Sequence, residues 1–395
     1  MLNKMKSYQP PAHWQQITTL DAHTEGEPFR VITGGLPELE GNTILERRRY
    51  MRANFDHLRT ALMWEPRGHA DMYGCILTPP VSPEADFGVL FLHNEGYSSM
   101  CGHGIIAMTT IAVETGMVPV QEPVTTVRID APAGLVTAYA KMVDRRVASV
   151  YFHNVPSFVL ALDETVAVPG LGRVRYDIAF GGAFYAYVKA ADVGLGTGPG
   201  DYGALIEKGI AIKNAVMASR SLPHPFEEDL SFLYGTIFIG KPHTRDAHSR
   251  NVCVFAEGEV DRCPTGTGVS GRLALHHARG EIEVNQAIEI GSIPAESFYI
   301  IGSNKFRVHF HLYGVYSNRL GHLQYFFEGG GTLLTDVDDL PGGALFNQSA
   351  VGIRHGTDIR EITRDMLIPQ LDDRNALAYM LYDLCKQKYI AIAET

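Results

Sequence analysis

The chain has 395 residues, of which 45% are hydrophobic and 20% are charged, so it is long enough for two globular domains. Its 34 basic and 44 acidic residues give a formal net charge of -10, which argues against a nucleic-acid partner. No apolar run reaches the roughly 18 residues of a membrane span. The N-terminus lacks the apolar core of a signal peptide, and five cysteines without metal spacing favour a reduced, cytoplasmic protein.

Two short strands are predicted at 17–22 and 29–33, joined by a link that contains His23, Glu25 and Glu27. In an extended link these three side chains would share one face, as a metal site requires. No second group of ligands accompanies them, so a turn with a salt-bridged glutamate is the favoured alternative. We therefore predict that the protein binds no metal.

A helix is predicted next, because Thr43 and Glu46 form a capping box and apolar residues follow at spacings of three and four. Pro66 ends this helix. A loop rich in glycine, histidine and aspartate follows at 65–74, and a strand at 88–93 leads into the next motif.

Cys101 lies directly before Gly102-His103-Gly104, and only two threonines interrupt the apolar run at 105–113. This pattern predicts a helix that is buried on almost all sides. A thiol at its N-terminus would face unpaired backbone N–H groups and the positive end of the helix dipole, which predicts a pKa below the free value of about 8.5. A packing cysteine beside a glycine turn is the alternative, and the motif alone favours neither.

The middle of the chain reads mainly as strands. Gly181 and Gly182 predict a close approach of the backbone to another element or a bulge. Candidate loops or domain linkers lie at 163–173 and 194–200. The predicted elements are strands at 124–130, 135–141, 147–152, 232–239 and 251–255 and a helix at 202–217.

The glycine motif recurs as Thr265-Gly266-Thr267-Gly268. In both copies a glycine suited to end a helix stands fifteen residues after the first position, at Gly116 and Gly280. A β-rich run precedes each copy. The pattern predicts an internal duplication in which two helix N-termini face one site.

Two facing helix N-termini would hold a carboxylate and stabilise negative charge that develops beside it. With a thiolate as base, the arrangement favours chemistry at the α-carbon of a small carboxylic acid, without a metal or organic cofactor. A dinucleotide site is the competing hypothesis, since Gly266–Gly271 matches G-x-G-x-x-G. It is less favoured because a polar segment separates Phe255 from Gly266, whereas that fold runs the strand directly into the first glycine.

The motifs together resemble the proline racemase family, which includes hydroxyproline 2-epimerases and trans-3-hydroxy-L-proline dehydratases. The resemblance extends from about residue 21 to about residue 306. Six segments carry it: 21–28, 65–69 with 71–73, 100–104, 181–185, 251–255, and 261–262 with 264–268.

This resemblance implies an α+β fold of two similar α/β halves, of the proline racemase and diaminopimelate epimerase type. Each half would be a curved sheet or barrel around a central helix, with the active site in the cleft between them. We expect the first half at 14–160, completed by part of 306–346, and the second at 161–305.

Racemases of this family carry a cysteine at both helix N-termini, whereas this chain has Cys101 at one and Thr265 at the other. A threonine hydroxyl is too weak an acid to serve as a second base near neutral pH. The pairing is similar to that of the family's trans-3-hydroxy-L-proline dehydratases, which implies proton removal by Cys101 and loss of the 3-hydroxyl as water. A proline racemase or hydroxyproline epimerase, and an inactive relative that binds proline-like ligands, are the alternatives.

The resemblance also implies a set of substrate contacts. Backbone N–H groups would bind the carboxylate, Asp261 would meet the ring ammonium, and two aromatic rings would enclose the pyrrolidine. Helix capping or pairing with Arg262 is the alternative for Asp261, and core packing is the alternative for the rings. Cys263 is predicted to be a small packing residue, and a catalytic role is its alternative. The implied contacts are Gly102, His103, Gly266 and Thr267 for the carboxylate, and Tyr73 and Phe255 for the ring.

The resemblance weakens after residue 303, and a C-terminal extension follows at 347–395. Apolar residues at helical spacing over 377–384 predict an amphipathic helix that packs on the body or on a second subunit, so a homodimer is also a prediction. His309 and His311 are predicted to be strand side chains, because two histidines alone make a poor metal site.

Overall fold

The computed structural model describes residues 10–292, apart from 25, 243, 244, 246 and 283–285, and backbone strand segments beyond residue 292. Among the helices in this part of the chain, none combines the length and the apolarity needed to cross a bilayer. The helices are α1 (Ile44–Met63), α2 (Gly102–Glu114), α3 (Tyr202–Ser219) and α4 (Gly266–Ala278), with short 3-10 turns at Ala190–Val193, Pro199–Asp201 and Glu228–Leu230.

The strands up to the middle of the chain are β1 (Thr18–Thr24), β2 (Glu27–Gly34), β3 (Tyr73–Thr78), β4 (Phe87–His93), β5 (Val124–Ala131), β6 (Gly134–Val143), β7 (Arg146–His153), β8 (Phe158–Val168), β9 (Gly172–Phe180) and β10 (Phe184–Lys189). Those that follow are β11 (Leu233–Gly240), β12 (Ser249–Phe255), β13 (Glu259–Val260), β14 (Ala287–Gly291), β15 (Ser297–Ile301), β16 (Lys305–Phe306), β17 (Leu312–Ser317), β18 (His322–Phe326), β19 (Leu333–Leu334), β20 (Ala350–His355), β21 (Asp358–Thr363) and β22 (Ile390–Ala391).

Two runs of six strands pair in the same order. From β1 to β6 the pairs are antiparallel, parallel, antiparallel, parallel and antiparallel. The same order runs through β9, β10, β11, β12, β14 and β15. Parallel neighbours need a long crossover, and a helix lies in each one: α1 and α2 in the first run, α3 and α4 in the second. The predicted duplication is therefore present in the backbone, as two similar α/β halves.

The helix of the first glycine motif is the centre of its half. Every residue of α2 from Gly102 to Val113 is buried, as its apolar sequence predicted. Burying each large apolar side chain, such as Ile105 or Met108, contributes roughly 1.5–3 kcal/mol. Gly104 is required for this packing, because a Cβ there would lie 2.6 Å from Phe29 and 2.8 Å from Phe91. Aromatic side chains of the sheet therefore pack directly against the N-terminal turn of α2.

The local predictions for helix ends are confirmed. Thr43 accepts a hydrogen bond from the Glu46 amide and Glu46 caps in return, so α1 begins with the predicted capping box. Phe55 has non-helical backbone angles, which places a kink inside that helix. Gly116 and Gly280 follow α2 and α4 with φ of 74° and 68°, the left-handed conformation that a glycine adopts after a helix.

The stretch at 163–173 is not a linker, because β8 and β9 form an antiparallel hairpin there. The expected division between residues 160 and 161 falls inside β8. β17 pairs with β1 of the first half, and β16 pairs with both β15 and β7. The extents of the two domains remain predictions.

Within the extension at 347–395 the segments that the structure describes are the strands β20, β21 and β22. The first two pair as an antiparallel hairpin. The amphipathic helix predicted at 377–384 lies outside the described residues, as do His309 and His311.

Candidate active site

The N-termini of α2 and α4 meet head to head. A Cβ on Gly102 would lie 2.9 Å from the Cα of Gly266, and a Cβ on Gly266 would lie 2.8 Å from the Cα of Gly102. Only glycine at both positions permits this approach. The two helices therefore direct their unpaired N–H groups and positive dipole ends toward one small volume, which suits a carboxylate. The order of elements argues against the dinucleotide hypothesis. Strand β13 lies between β12 and α4, whereas a dinucleotide-binding fold runs the strand directly into the glycine-rich turn.

Cys101 caps α2. Its Sγ accepts a hydrogen bond from the Gly104 amide at 3.2 Å and lies 3.2 Å from Nδ1 of His103. Burial nevertheless raises the pKa of the Cys101 thiol well above its ordinary value, and the buried carboxylates of Asp261 and Glu27 raise it further. The prediction of a lowered pKa is therefore wrong. The amide acts in the predicted direction, but desolvation of the thiolate outweighs it.

The ring of His103 has a role that the sequence did not indicate. Burial lowers the pKa of His103 to about 3, so its imidazole is neutral at physiological pH. It is therefore a neutral partner for the Cys101 thiol. The backbone carbonyl of His103 accepts a hydrogen bond from the Thr24 hydroxyl at 3.3 Å, which ties the first turn of α2 to β1.

Thr265 stands at the equivalent position of α4 but behaves differently. Its φ of 67° lies in the left-handed region, which is strained for a β-branched residue. Its hydroxyl does not cap the helix and instead donates a hydrogen bond to Asp261. The backbone carbonyl of Cys253 on β12 accepts a hydrogen bond from the Asp261 amide at 3.2 Å, so Cys253 is a neighbour that the sequence patterns did not identify.

Asp261 is a buried carboxyl group in the cleft. Burial raises its pKa to about 7, and the hydrogen bond from Thr265 partly opposes that shift. Burial and the proximity of Asp261 likewise raise the pKa of Glu27 well above its ordinary value. A carboxylate oxygen of Glu27 accepts a hydrogen bond from the Arg262 backbone amide at 2.5 Å. The site therefore concentrates acidic groups next to the helix N-termini, an arrangement that would attract a cation.

Cys263 belongs to this acidic group. One ligand atom each from Glu27, Asp261 and Cys263 lies within 4.8 Å of the others, a geometry that is also compatible with a metal ion. Burial raises the pKa of the Cys263 thiol well above its ordinary value, which favours an inert thiol over a reactive one. The absence of a metal from the chemistry remains a prediction.

The link between β1 and β2 is a tight turn, as the favoured alternative required. The Gly26 amide donates to Nδ1 of His23 at 3.2 Å. Burial lowers the pKa of His23 to about 4. Glu25 lies outside the described residues. The other glutamate of the pattern, Glu27, accepts the hydrogen bond from the Arg262 backbone amide.

The two predicted ring-binding side chains contact each other across the halves. Tyr73 of β3 and Phe255 of β12 have ring centroids 6.5 Å apart. Tyr234 of β11 stacks on Phe255 at 5.2 Å, and His93 of β4 stacks on Tyr73 at 5.7 Å. Sequence reasoning missed Tyr234 and His93, because each lies in an ordinary apolar strand with no motif around it.

Hydroxyl groups gather at one edge of this aromatic wall. The Tyr73 hydroxyl hydrogen-bonds Ser98 and lies 3.5 Å from the Tyr234 hydroxyl. The Tyr73 ring also packs edge-on against the ring of His103 at a centroid distance of 5.0 Å, two residues from Cys101. Burial raises the pKa of Tyr73 well above its ordinary value, so the phenol keeps its proton.

Two tyrosine side chains of β10 form hydrogen bonds with the first turn of α4. The Tyr185 hydroxyl hydrogen-bonds the Thr267 hydroxyl at 2.7 Å, and Tyr187 donates to the Gly268 carbonyl at 2.8 Å. The close approach predicted for the glycine pair is confirmed, since a Cβ on Gly181 would lie 2.3 Å from the Thr267 carbonyl oxygen. Seven of the nine predicted site residues thus lie at the two helix N-termini, and Tyr73 and Phe255 lie on the adjoining wall.

Two named relatives are similar over most of the chain. A trans-3-hydroxy-L-proline dehydratase of Colwellia psychrerythraea is 51% identical over 300 residues, which are 75% of this chain and 84% of the relative. A protein with the same name from Bacillus thuringiensis is 50% identical over 284 residues, which are 71% of this chain and 85% of the relative.

A solved structure has the same fold. The hydroxyproline epimerase from Agrobacterium vitis, crystallised with trans-4-hydroxy-L-proline, superposes with a TM-score of 0.71 and 30% identity. The match covers 77% of this chain and 93% of the epimerase. The proline racemase family model matches residues 19–308, close to the extent that the motifs predicted. The chain belongs to the proline racemase family.

Proposed function

We propose that this protein is a trans-3-hydroxy-L-proline dehydratase, a hydro-lyase that forms Δ1-pyrroline-2-carboxylate and water. One observation carries the proposal: the two helix N-termini that meet at Gly102 and Gly266 bear a thiol on one side and a hydroxyl on the other. The names of relatives that are about 50% identical support the same reaction.

The substrate carboxylate binds between the two helices. Backbone N–H groups at Gly102, His103, Gly266 and Thr267 face the point where α2 and α4 meet. They neutralise the carboxylate and stabilise the additional charge that it takes up when the α-proton leaves. The ring then lies against Tyr73 and Phe255, and its ammonium group faces Asp261.

Binding of the substrate's ammonium group lowers the raised pKa of Cys101. Two buried carboxyl groups, Asp261 and Glu27, disfavour the thiolate in the protein itself. A bound ammonium cation offsets their charge, and the nearby N–H groups then favour the thiolate. Cys101 therefore becomes a base when the substrate is bound.

Proton removal occurs on one face of the ring. Cys101 takes the α-proton, and the resulting enolate-like state expels the 3-hydroxyl to give an enamine, which tautomerises to the product. Thr265 lies on the other face and donates its hydrogen bond to Asp261, so it returns no proton to the α-carbon. Elimination then replaces the two-face exchange of a racemase.

The decisive experiment is a turnover assay with the purified full chain. Conversion of trans-3-hydroxy-L-proline to Δ1-pyrroline-2-carboxylate, followed by NMR, is expected, with no reaction of trans-4-hydroxy-L-proline or L-proline. Inversion of either control substrate supports the epimerase or racemase alternative. Tight binding of pyrrole-2-carboxylate, a planar mimic of the deprotonated ring, without turnover supports an inactive binding protein.

A further inference from the structure

The stereochemistry of the proposed substrate restricts where the leaving hydroxyl can lie. In trans-3-hydroxy-L-proline the 3-hydroxyl and the carboxylate are on opposite faces of the ring. The α-hydrogen is also opposite the carboxylate, so the α-hydrogen and the 3-hydroxyl share one face. The base and the group that protonates the leaving hydroxyl must therefore approach from the same side. If Cys101 is the base, Thr265 is on the wrong side to assist departure of the hydroxyl.

A hydroxyl group of the protein lies on the Cys101 side. Tyr73 is part of β3 in the first half, and its hydroxyl hydrogen-bonds Ser98, three residues before Cys101. Its ring lies 5.0 Å from that of His103, whose Nδ1 is 3.2 Å from the Cys101 Sγ. Tyr73 and Ser98 are both buried. The Tyr234 hydroxyl, 3.5 Å away, comes from the second half and closes the cluster from the other side of the cleft.

We propose that Tyr73 is the acid of the dehydration, and that its hydroxyl, oriented by Ser98, binds the substrate's 3-hydroxyl and protonates it as it leaves. The inference rests on the proposed function and assigns the step that completes it. The aromatic wall is then more than a surface for the ring, because it presents a proton donor at the one edge where a 3-hydroxyl would lie.

The protons balance over one turnover. The thiolate of Cys101 takes the α-hydrogen and becomes a thiol. The C3–O bond breaks, the oxygen takes the bonding pair and the Tyr73 proton, and water leaves. The Cys101 thiol then returns its proton to the neighbouring Tyr73 oxygen, which restores both the thiolate and the phenol. Over the turnover the substrate loses one hydrogen and one hydroxyl, the elements of water, and no oxidant or further reactant is needed.

A fluorinated substrate separates the acid from the base. Fluoride departs as a stable anion and needs a donated proton far less than hydroxide does. In Tyr73→Phe the ring wall is kept and only the hydroxyl is lost. We expect dehydration of trans-3-hydroxy-L-proline to fall about 10²-fold or more, the range for loss of a general acid. Fluoride release from trans-3-fluoro-L-proline, followed with an ion-selective electrode, is expected to stay within a few-fold of wild type.

Controls keep the result interpretable. Tyr139→Phe removes a hydroxyl from a partly exposed stack with Tyr151 on β6 and β7, and it is expected to change neither rate. Pyrrole-2-carboxylate binding reports whether Tyr73→Phe keeps the cleft intact. Ser98→Ala, which frees the Tyr73 hydroxyl from its partner, is expected to reduce dehydration less than Tyr73→Phe and also to spare fluoride release.

The outcomes are distinct. Equal losses on the two substrates in Tyr73→Phe would assign its hydroxyl to the Cys101 base and overturn the inference, as would dehydration within about threefold of wild type. A wild-type protein that forms no Δ1-pyrroline-2-carboxylate contradicts the proposed function itself, and the acid role falls with it.

Discussion

Gly102 and Gly266 come so close that neither position has room for a methyl group: the Cβ of an alanine at either one would lie within 2.9 Å of the other's Cα. Each glycine is the first residue of a helix, and the two helices come from different halves of the chain. The contact sets the distance between the two sets of N–H groups. It is therefore a structural determinant of the proposed carboxylate site as well as a packing contact.

Replacing Gly266 by alanine is expected to separate the helix N-termini. The added methyl meets backbone rather than a flexible side chain, so overpacking should lower the free energy of unfolding by about 1–3 kcal/mol. Affinity for pyrrole-2-carboxylate, measured by calorimetry, is expected to fall more than stability explains. Gly203→Ala in α3 is the matched control, since a Cβ there meets nothing within 4 Å. It should stabilise the protein by up to about 1 kcal/mol and leave ligand affinity unchanged.

Exchanging the sulfur of Cys101 for oxygen is expected to abolish dehydration, by about 10²–10⁴-fold, because a serine hydroxyl is not a base at neutral pH. Cys263→Ser tests the other buried thiol of the cleft. It is expected to retain most of the activity, since Cys263 is predicted to be a packing residue. Comparable losses in the two variants, measured as initial rates of product formation, would contradict that assignment.

Thr265→Cys is expected to add a second base on the opposite face of the ring. The variant should invert the α-carbon of trans-4-hydroxy-L-proline or L-proline, which chiral chromatography detects, while dehydration decreases. Thr265→Ser is the control, because it keeps a hydroxyl that can donate to Asp261 and adds no thiol. Epimerisation by the wild type, or by the serine variant at the same rate, would argue against the role given to Thr265.

Binding of proline-like ligands should depend on the protonation of Asp261. Its pKa is raised to about 7 by burial, with Glu259 and Asp71 adding to the shift. The carboxyl group attracts an ammonium cation only when it is ionised, so affinity for L-proline should rise as pH increases through about 7. Pyrrole-2-carboxylate lacks the cation and is expected to show a weaker pH dependence. Asp261→Asn should remove the difference between the two ligands in calorimetric titrations.

Ionisation of Asp261 should lower the stability of the folded protein, although it raises the affinity for L-proline. Between its ordinary pKa of 3.8 and the raised pKa of about 7, Asp261 holds its proton in the folded protein and loses it in the unfolded chain. The stability it contributes is present below that window and is lost as pH rises through about 7. Wild type should therefore become less stable relative to Asp261→Asn as pH rises from 4 to 7, as measured by urea unfolding. A constant difference over that range would show that Asp261 is not buried as a neutral acid.

Local features were predictable from the sequence because they depend on residues that are close along the chain. The capping box at Thr43, the helix-ending glycines and the two X-Gly-x-Gly helix starts are of this kind. Each needs only a short side chain or a missing Cβ to act on its neighbours. Both Cys101 and Thr265 were identified in this way, together with the thiol–hydroxyl pairing that points to elimination.

The tertiary structure decided the chemistry of those residues. The pKa of Cys101 is raised rather than lowered, because burial depends on packing that no local pattern records. The hydroxyls of Tyr73 and Tyr234 are 161 residues apart in sequence and meet only because the two halves close on each other. Contacts between distant strands determine which groups surround Cys101 and on which side they lie. They also determine how strongly burial disfavours its thiolate. The sequence by itself determined the helix starts and their reactive residues, and only the fold determined how those residues act together.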